Sequence, residues 1–264
     1  MVSIVVYKLY IAIVAKTLSF WFDVFPFLFS DFTEQWSNEK ISHPILTRIQ
    51  IRSKQRGRKN KWNKRHKRRS KGLFVVAHFY FRRDLHVPMN YTYINLLREP
   101  IERYISHYYY ARSPLRWLKK LKRLKKLGHF NETLEECLDK QHEGCEWNHM
   151  TRFFCGPELF CKNGSSKALK RAKYNMKHYY TSVGVLEHLT EFLEVLHKRL
   201  PGYVIVNSGL LKKKFVTTGV NKKPISPSVM KKVVEANKDD IELYKYAKIL
   251  FKEQARECGI EIKE

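Results

Sequence analysis

Apolar and polar positions follow two rhythms along the second half of this chain. Leu73 to Phe81 is apolar and β-prone, and Tyr91 to Leu97 is a second such run, both of strand length. After Glu99 the spacing changes to that of a helix, which runs to about Arg112 before Pro114 marks a turn. Residues 115–127 set Leu115, Leu118, Leu121 and Leu124 among lysines and arginines, a narrow apolar stripe under a cationic face. Further helices are predicted over 133–140, 166–179, 186–199 and 227–257, with Ser182–Val185 as a short strand. Strands alternating with helices imply an α/β fold, a mainly parallel sheet covered by helices. No internal repeat is visible.

Residues 1–31 are strongly apolar and aromatic, but Lys8, Lys16 and Asp23 interrupt them, so no charge-free run approaches the ~20 residues a spanning helix wants. Residues 32–72 contain a low-complexity basic block at 52–71, the composition of a solvated linker. The regular domain therefore occupies 73–264, behind an apolar segment (1–31) and a basic linker (32–72).

Charge narrows the partners. Lys and Arg number 51 against 25 Asp and Glu, a net charge of +26 over 264 residues, which favours a polyanion: nucleic acid, anionic lipid or sulfated polysaccharide. No recognition-helix or RNA-binding signature accompanies it, although 52–71 has the make-up of a basic arm. Four of the five cysteines form two close pairs, Cys137 with Cys145 and Cys155 with Cys161. Neither pair has zinc-finger spacing and no Cys–His cluster completes four ligands nearby, which favours disulfides over metal. Disulfides persist in an oxidising compartment, and the sequons at Asn90, Asn131 and Asn163 are compatible with one. Cys258 is the odd one out.

The candidate chemistry sits in Tyr93-Ile94-Asn95-Leu96-Leu97-Arg98-Glu99-Pro100-Ile101-Glu102-Arg103-Tyr104-Ile105-Ser106. A strand delivers Arg98 at its carboxyl end and a helix carries Ser106 on its second turn, so a guanidinium and a hydroxyl converge on one anion. The bland alternative is an arginine that makes only surface ion pairs. This segment resembles the 3'-phosphate-binding element of sulfotransferases that use 3'-phosphoadenosine 5'-phosphosulfate (PAPS), and the wording is similar to the heparan sulfate and uronyl 2-O-sulfotransferases. Phe153-Phe154-Cys155-Gly156, Cys161, Ala172-Lys173-Tyr174-Asn175, Val183-Gly184-Val185-Leu186-Glu187 and Cys137 within Leu134-Glu135-Glu136-Cys137 follow in the order of that family.

The resemblance implies a sulfotransferase (P-loop nucleotide kinase-like) fold and PAPS as co-substrate, with no metal required. It places the catalytic histidine at His78, in Val76-Ala77-His78-Phe79, where a base is needed to take the proton of a sugar 2-hydroxyl as it attacks sulfur. It assigns nucleotide binding to Arg98 and Ser106, and to Lys222 and Lys223 in a covering segment. A degraded phosphosulfate loop, Ile11 to Ser19, would supply Lys16, Thr17 and Ser19, with Lys16 also catalytic. Ile13 stands where the family has arginine and Ala15 where it has proline or glycine. Arg116, Lys119, Lys120 and Arg123 fall where related enzymes meet the carboxylates and sulfates of the sugar chain. The expected substrate is heparan sulfate or a related dermatan or chondroitin glycosaminoglycan. The expected setting is the Golgi lumen, with single-pass type II anchorage if the full N-terminus is present; related heparan enzymes are homo-oligomers. The competing reading is a truncated or catalytically impaired protein of the same fold that retains polysaccharide affinity.

Overall fold

The computed structural model describes residues 2–7, 10–15, 74–76, 80–83, 91–113, 118–162, 165–201 and 223–262. Strands β1 (Val2–Tyr7), β2 (Tyr10–Ala15), β3 (Phe74–Val76), β4 (Tyr91–Leu97) and β5 (Tyr180–Val185) form one sheet in the order β2-β3-β1-β4-β5. β4 and β5 are parallel, with Leu97 opposite Val185, and β2 and β3 are parallel. β1 runs antiparallel to β2, β3 and β4, so the sheet is mixed rather than mainly parallel.

The helices are α1 (Pro100–Arg112), α2 (Leu118–Lys126), α3 (Leu134–Lys140), α4 (His149–Cys155), α5 (Leu159–Lys162), α6 (Ser166–Tyr179), α7 (Leu189–Arg199), α8 (Pro227–Ala236) and α9 (Lys238–Glu257). α1 begins where Glu99 caps it, its carboxylate accepting from the amides of Ile101 at 3.1 Å and Glu102 at 2.6 Å, and Pro100 pre-sets the first turn. α3 opens on a reciprocal capping box between Thr133 and Glu136.

Three expectations change. Of the strand predicted over 73–81, Phe74–Val76 is strand and Tyr80 and Phe81 are not, the Phe81 amide donating instead to the Phe153 carbonyl at 2.8 Å; residues 73 and 77–79 lie outside the described residues. The helix predicted over 186–199 opens with a 3-10 turn, Leu186–His188. The helix predicted over 227–257 breaks at Asn237, whose amide turns back to the carbonyls of Val233 and Val234 while its Oδ1 accepts from the amide of Asn148 at 3.3 Å. α4 and α5 are additional to the predicted set.

α4 has no local side-chain cap. Asn148 precedes it with φ 45°, a left-handed conformation asparagine tolerates. Its amides are met from α9: Asp240 accepts from Met150 at 2.9 Å and Thr151 at 2.7 Å. The favour is returned, since Asn148 Oδ1 accepts from the amides of Asp239 at 3.1 Å and Asp240 at 3.2 Å in the first turn of α9. Each helix thus completes the other's open end.

The main core joins β4, β5, α4, α6, α7 and α9, with Ile94, Leu97, Phe154, Met176, Val183, Phe192 and Phe251 among its buried members. Each such side chain stabilises by roughly 1.5–3 kcal/mol relative to exposure. Phe192 lies so close to β5 that a Cβ on Gly184 would sit 2.2 Å from its ring, so only glycine fits there. A smaller core holds Tyr104, Tyr108, Leu134, Leu138 and Val233 around the Cys137–Cys145 disulfide. The second disulfide, Cys155–Cys161, ties the end of α4 to α5, and Cys258 is free. Both pairs are those expected from the sequence. Among the described residues β5 is the last strand on its side of the sheet, and two of its outer backbone groups are met by side chains: Gln254 Oε1 accepts from the Val183 amide at 3.2 Å, and Arg199 Nη1 donates to the Thr181 carbonyl at 2.6 Å. No helix among the described residues is long and apolar enough to cross a membrane.

Candidate active site

The parallel pair β4 and β5 delivers two chain segments to one edge: Arg98 leaves the end of β4, and the turn Leu186–His188 leaves the end of β5. The carboxyl ends of adjacent parallel strands are where α/β folds place their ligands. Glu102 and Ser106, four residues apart, share one side of α1, and Arg98 precedes the Glu99 cap with its side chain turned to Glu102. Arg98 Nη2 and Nε both donate to Glu102 Oε2, at 3.0 and 3.2 Å. The pair is surface-lying, with Glu102 64% exposed, and such pairs are worth about 0–1 kcal/mol. The amides of Ile101 and Glu102 in the first turn of α1 are already taken by the Glu99 carboxylate.

The same face continues to Tyr109, three residues after Ser106. Its hydroxyl accepts from the Lys223 amide at 2.9 Å and lies 3.4 Å from the Lys223 carbonyl. The chain around Lys223 is thereby held against the helix that carries Ser106, with the lysine side chain exposed.

α9 closes the other side of this edge. Tyr244 donates to Glu187 in the turn after β5, and Lys248 Nζ stands 3.4 Å from the other oxygen of that carboxylate. Burial pushes the Tyr244 phenol up, and its bond to Glu187 together with the negative charges of Glu187, Glu99 and Glu102 pushes it further, so it stays protonated and donates. Sequence reading missed Tyr244. Nothing in its neighbourhood distinguishes it from a core tyrosine of an amphipathic helix, because its partner lies 57 residues away.

Behind the rim lies Arg103, buried on α1. Burial lowers its pKa, and the charges of Asp240, Glu146 and Glu99 draw it back up. Burial likewise raises Asp240, opposed by Arg103 and by the amides of Met150 and Thr151. Arg103 Nε and Nη2 and His149 Nδ1 have no hydrogen-bond partner among the described residues.

The remaining expected residues divide. Lys16, Thr17, Ser19, His78, Arg116 and Lys222 lie outside the described residues. β2 ends one residue before Lys16, and β3 ends two before His78. Lys119 and Lys120 fall on the backbone of α2, and Arg123 is exposed beside buried Leu124 on the same helix. Lys122, Lys125 and Lys126 are exposed with it, so the cationic face read from the sequence is present.

A profile of the sulfotransferase family matches residues 6–247, and the chain belongs to that family. Among curated proteins it is similar to the heparin sulfate O-sulfotransferase of Drosophila melanogaster, 39% identical over 113 residues, which are 41% of this chain and 32% of that protein. It is 35% identical over 118 residues to a heparan sulfate 2-O-sulfotransferase of Caenorhabditis elegans, 43% of this chain and 36% of the relative. The human heparan sulfate 2-O-sulfotransferase 1 is 37% identical over 116 residues, 42% of this chain and 32% of the relative. The matched stretch spans about a third of the length of these relatives.

Proposed function

We propose that this protein is a PAPS-dependent glycosaminoglycan 2-O-sulfotransferase acting on uronic acid residues of heparan sulfate. The observation that carries the reading is Arg98 at the carboxyl end of β4, bonded to Glu102 on the side of α1 that also carries Ser106, in a chain of the sulfotransferase family. Arg98 and Ser106 hold the 3'-phosphate, with Arg98 exchanging Glu102 for it. Lys222 and Lys223 cover the nucleotide, which the Tyr109–Lys223 contact supports.

At the reacting end, Lys16, Thr17 and Ser19 meet the 5'-phosphosulfate. A strand ending at Ala15 and a family match that starts at residue 6 support reading Ile11–Ser19 as that loop. His78 takes the proton of the 2-hydroxyl while its oxygen attacks sulfur; the bond from sulfur to the bridging oxygen of the 5'-phosphate breaks, and adenosine 3',5'-bisphosphate leaves. Lys16 offsets the charge that builds on that bridging oxygen. Arg116, Lys119, Lys120 and Arg123 meet the anionic sugar chain. The names of the relatives favour heparan over dermatan or chondroitin chains. Two disulfides fit the Golgi lumen.

The test is transfer of radiolabelled sulfate from PAPS to desulfated heparan and to chondroitin, followed by disaccharide analysis, with paired calorimetry on adenosine 3',5'-bisphosphate. Arg98→Ala weakens nucleotide binding by about 2–4 kcal/mol. His78→Ala keeps that affinity while transfer falls by roughly 10²–10⁴-fold. Absence of 2-O-sulfated uronic acid from wild-type product, or unchanged nucleotide affinity in folded Arg98→Ala, sinks the reading.

A further inference from the structure

The opposite end of α1 gathers a different chemistry. α2 closes on Gly128, whose φ of +74° lets the chain turn, and His129 follows with its amide on the Leu124 carbonyl at 3.1 Å. Its ring stacks on that of His142, centroids 3.6 Å apart and planes 10° from parallel. His142 Nδ1 lies 2.9 and 3.0 Å from the two oxygens of Glu132, a side chain only 9% exposed. One ligand atom from each of the three residues falls within 4.8 Å of the others.

We propose that His129, Glu132 and His142 form a binding site for a divalent transition-metal ion, zinc being the best fit, separate from the sulfuryl-transfer site. Two imidazoles and one carboxylate are a zinc set, too nitrogen-rich for magnesium or calcium. Tetrahedral zinc with bonds of about 2.1 Å spaces its ligand atoms about 3.4 Å apart, so closing the set requires the two imidazoles to leave their parallel stack until both ring planes contain the ion. The backbone is already fixed. Arg112 Nη2 donates to the His129 carbonyl at 2.9 Å, the Tyr108 hydroxyl to the Glu132 carbonyl at 2.6 Å, and the His142 amide to the Cys137 carbonyl at 3.2 Å inside the disulfide loop.

Local charge agrees. In a chain of net charge +26, residues 131–146 carry Glu132, Glu135, Glu136, Asp139, Glu143 and Glu146 against Lys140 alone among lysines and arginines. Lys140 Nζ, 3.4 Å from Glu132 Oε1, is on a side chain 55% exposed and is free to leave as a metal enters. Arg112 Nη2, 3.6 Å from Oε2, remains as the outer partner that orients the carboxylate. An ion here joins the end of basic α2 to the disulfide-closed segment and so fixes the direction of its cationic face.

The test is zinc titration of the full, untagged, oxidised chain by calorimetry at neutral pH, with magnesium as control and cobalt absorption as an independent readout. One zinc site is expected in the wild type. In His142→Ala and Glu132→Gln it weakens by at least about 100-fold, beyond what loss of an outer partner costs, and the visible cobalt band of a tetrahedral site disappears. Lys140→Ala, which removes the competing cation, binds zinc more tightly. Equal zinc affinity and stoichiometry in wild type, His142→Ala and Glu132→Gln overturns the proposal. Should the first two variants not fold, Lys140→Ala decides: unchanged or weaker affinity overturns it. Sulfate transfer is not the readout, so this result and that of the proposed reaction stand apart.

Discussion

Asn148 and Asp240 cap each other's helices: Asn148 Oδ1 accepts from the backbone amide of Asp240, and the Asp240 carboxylate accepts from the amides of Met150 and Thr151. Asp240 also balances the buried charge of Arg103 on α1. Asp240→Ala therefore removes a cap, worth about 0.5–2 kcal/mol, together with the largest of the negative charges that offset the burial of Arg103. Denaturant unfolding of oxidised protein should show a loss at or above the upper end of that range. Asp240→Asn, which retains one acceptor, should lie between that variant and wild type. A loss under 1 kcal/mol in Asp240→Ala would mean that Arg103 finds its balance elsewhere.

Gly184 is set by the ring of Phe192 rather than by its own backbone. Gly184→Ala pushes that ring out of the core and should cost about 1–3 kcal/mol. The double variant Gly184→Ala with Phe192→Leu should recover part of this loss, which a thermal melt of the three proteins would reveal.

The His149 imidazole is held well below its ordinary 6.5, by burial first and then by the charges of Arg103, His107 and Arg152. The unfolded chain takes up a proton below that pH that the folded chain refuses. Stability is thus intact above 6.5 and falls as pH drops below it, by up to about 1.4 kcal/mol per pH unit. Urea midpoints at several pH values for wild type and His149→Gln should diverge in slope below 6.5; parallel slopes would remove His149 as the source.

Glu102 competes with any anion for Arg98. Glu102→Gln should leave the fold unaltered and tighten binding of adenosine 3',5'-bisphosphate by up to about fivefold, the limit set by an exposed pair. Weaker binding in this variant would show that Glu102 positions Arg98 rather than competing for it.

What the sequence disclosed was what short-range chemistry decides. β4, α1 and α6 were readable because each carries its own signals, such as the Glu99-Pro100 start of α1 and the Ser165 cap of α6. Both cysteine pairs close loops of under ten residues and could be paired by proximity. α4 was not readable, since its aromatic and β-branched composition is a weak helix former and its cap lies 89 and 90 residues away. The break at Asn237 was hidden for the same reason: its reason is Asn148. At the candidate site, Arg98 and Ser106 announced themselves by their spacing, whereas Tyr244 and Glu187 meet only because α9 folds back over the end of β5.

The treatment of the outer side of β5 bears on assembly. With the Val183 amide given to Gln254 and the Thr181 carbonyl to Arg199, two backbone groups on the outer side of β5 already have side-chain partners among the described residues. A strand added there from another chain would have to displace Gln254 of α9 and Arg199 of α7 from those two groups. β5 is to that extent a poorer template for the sheet-to-sheet association through which partly folded chains aggregate.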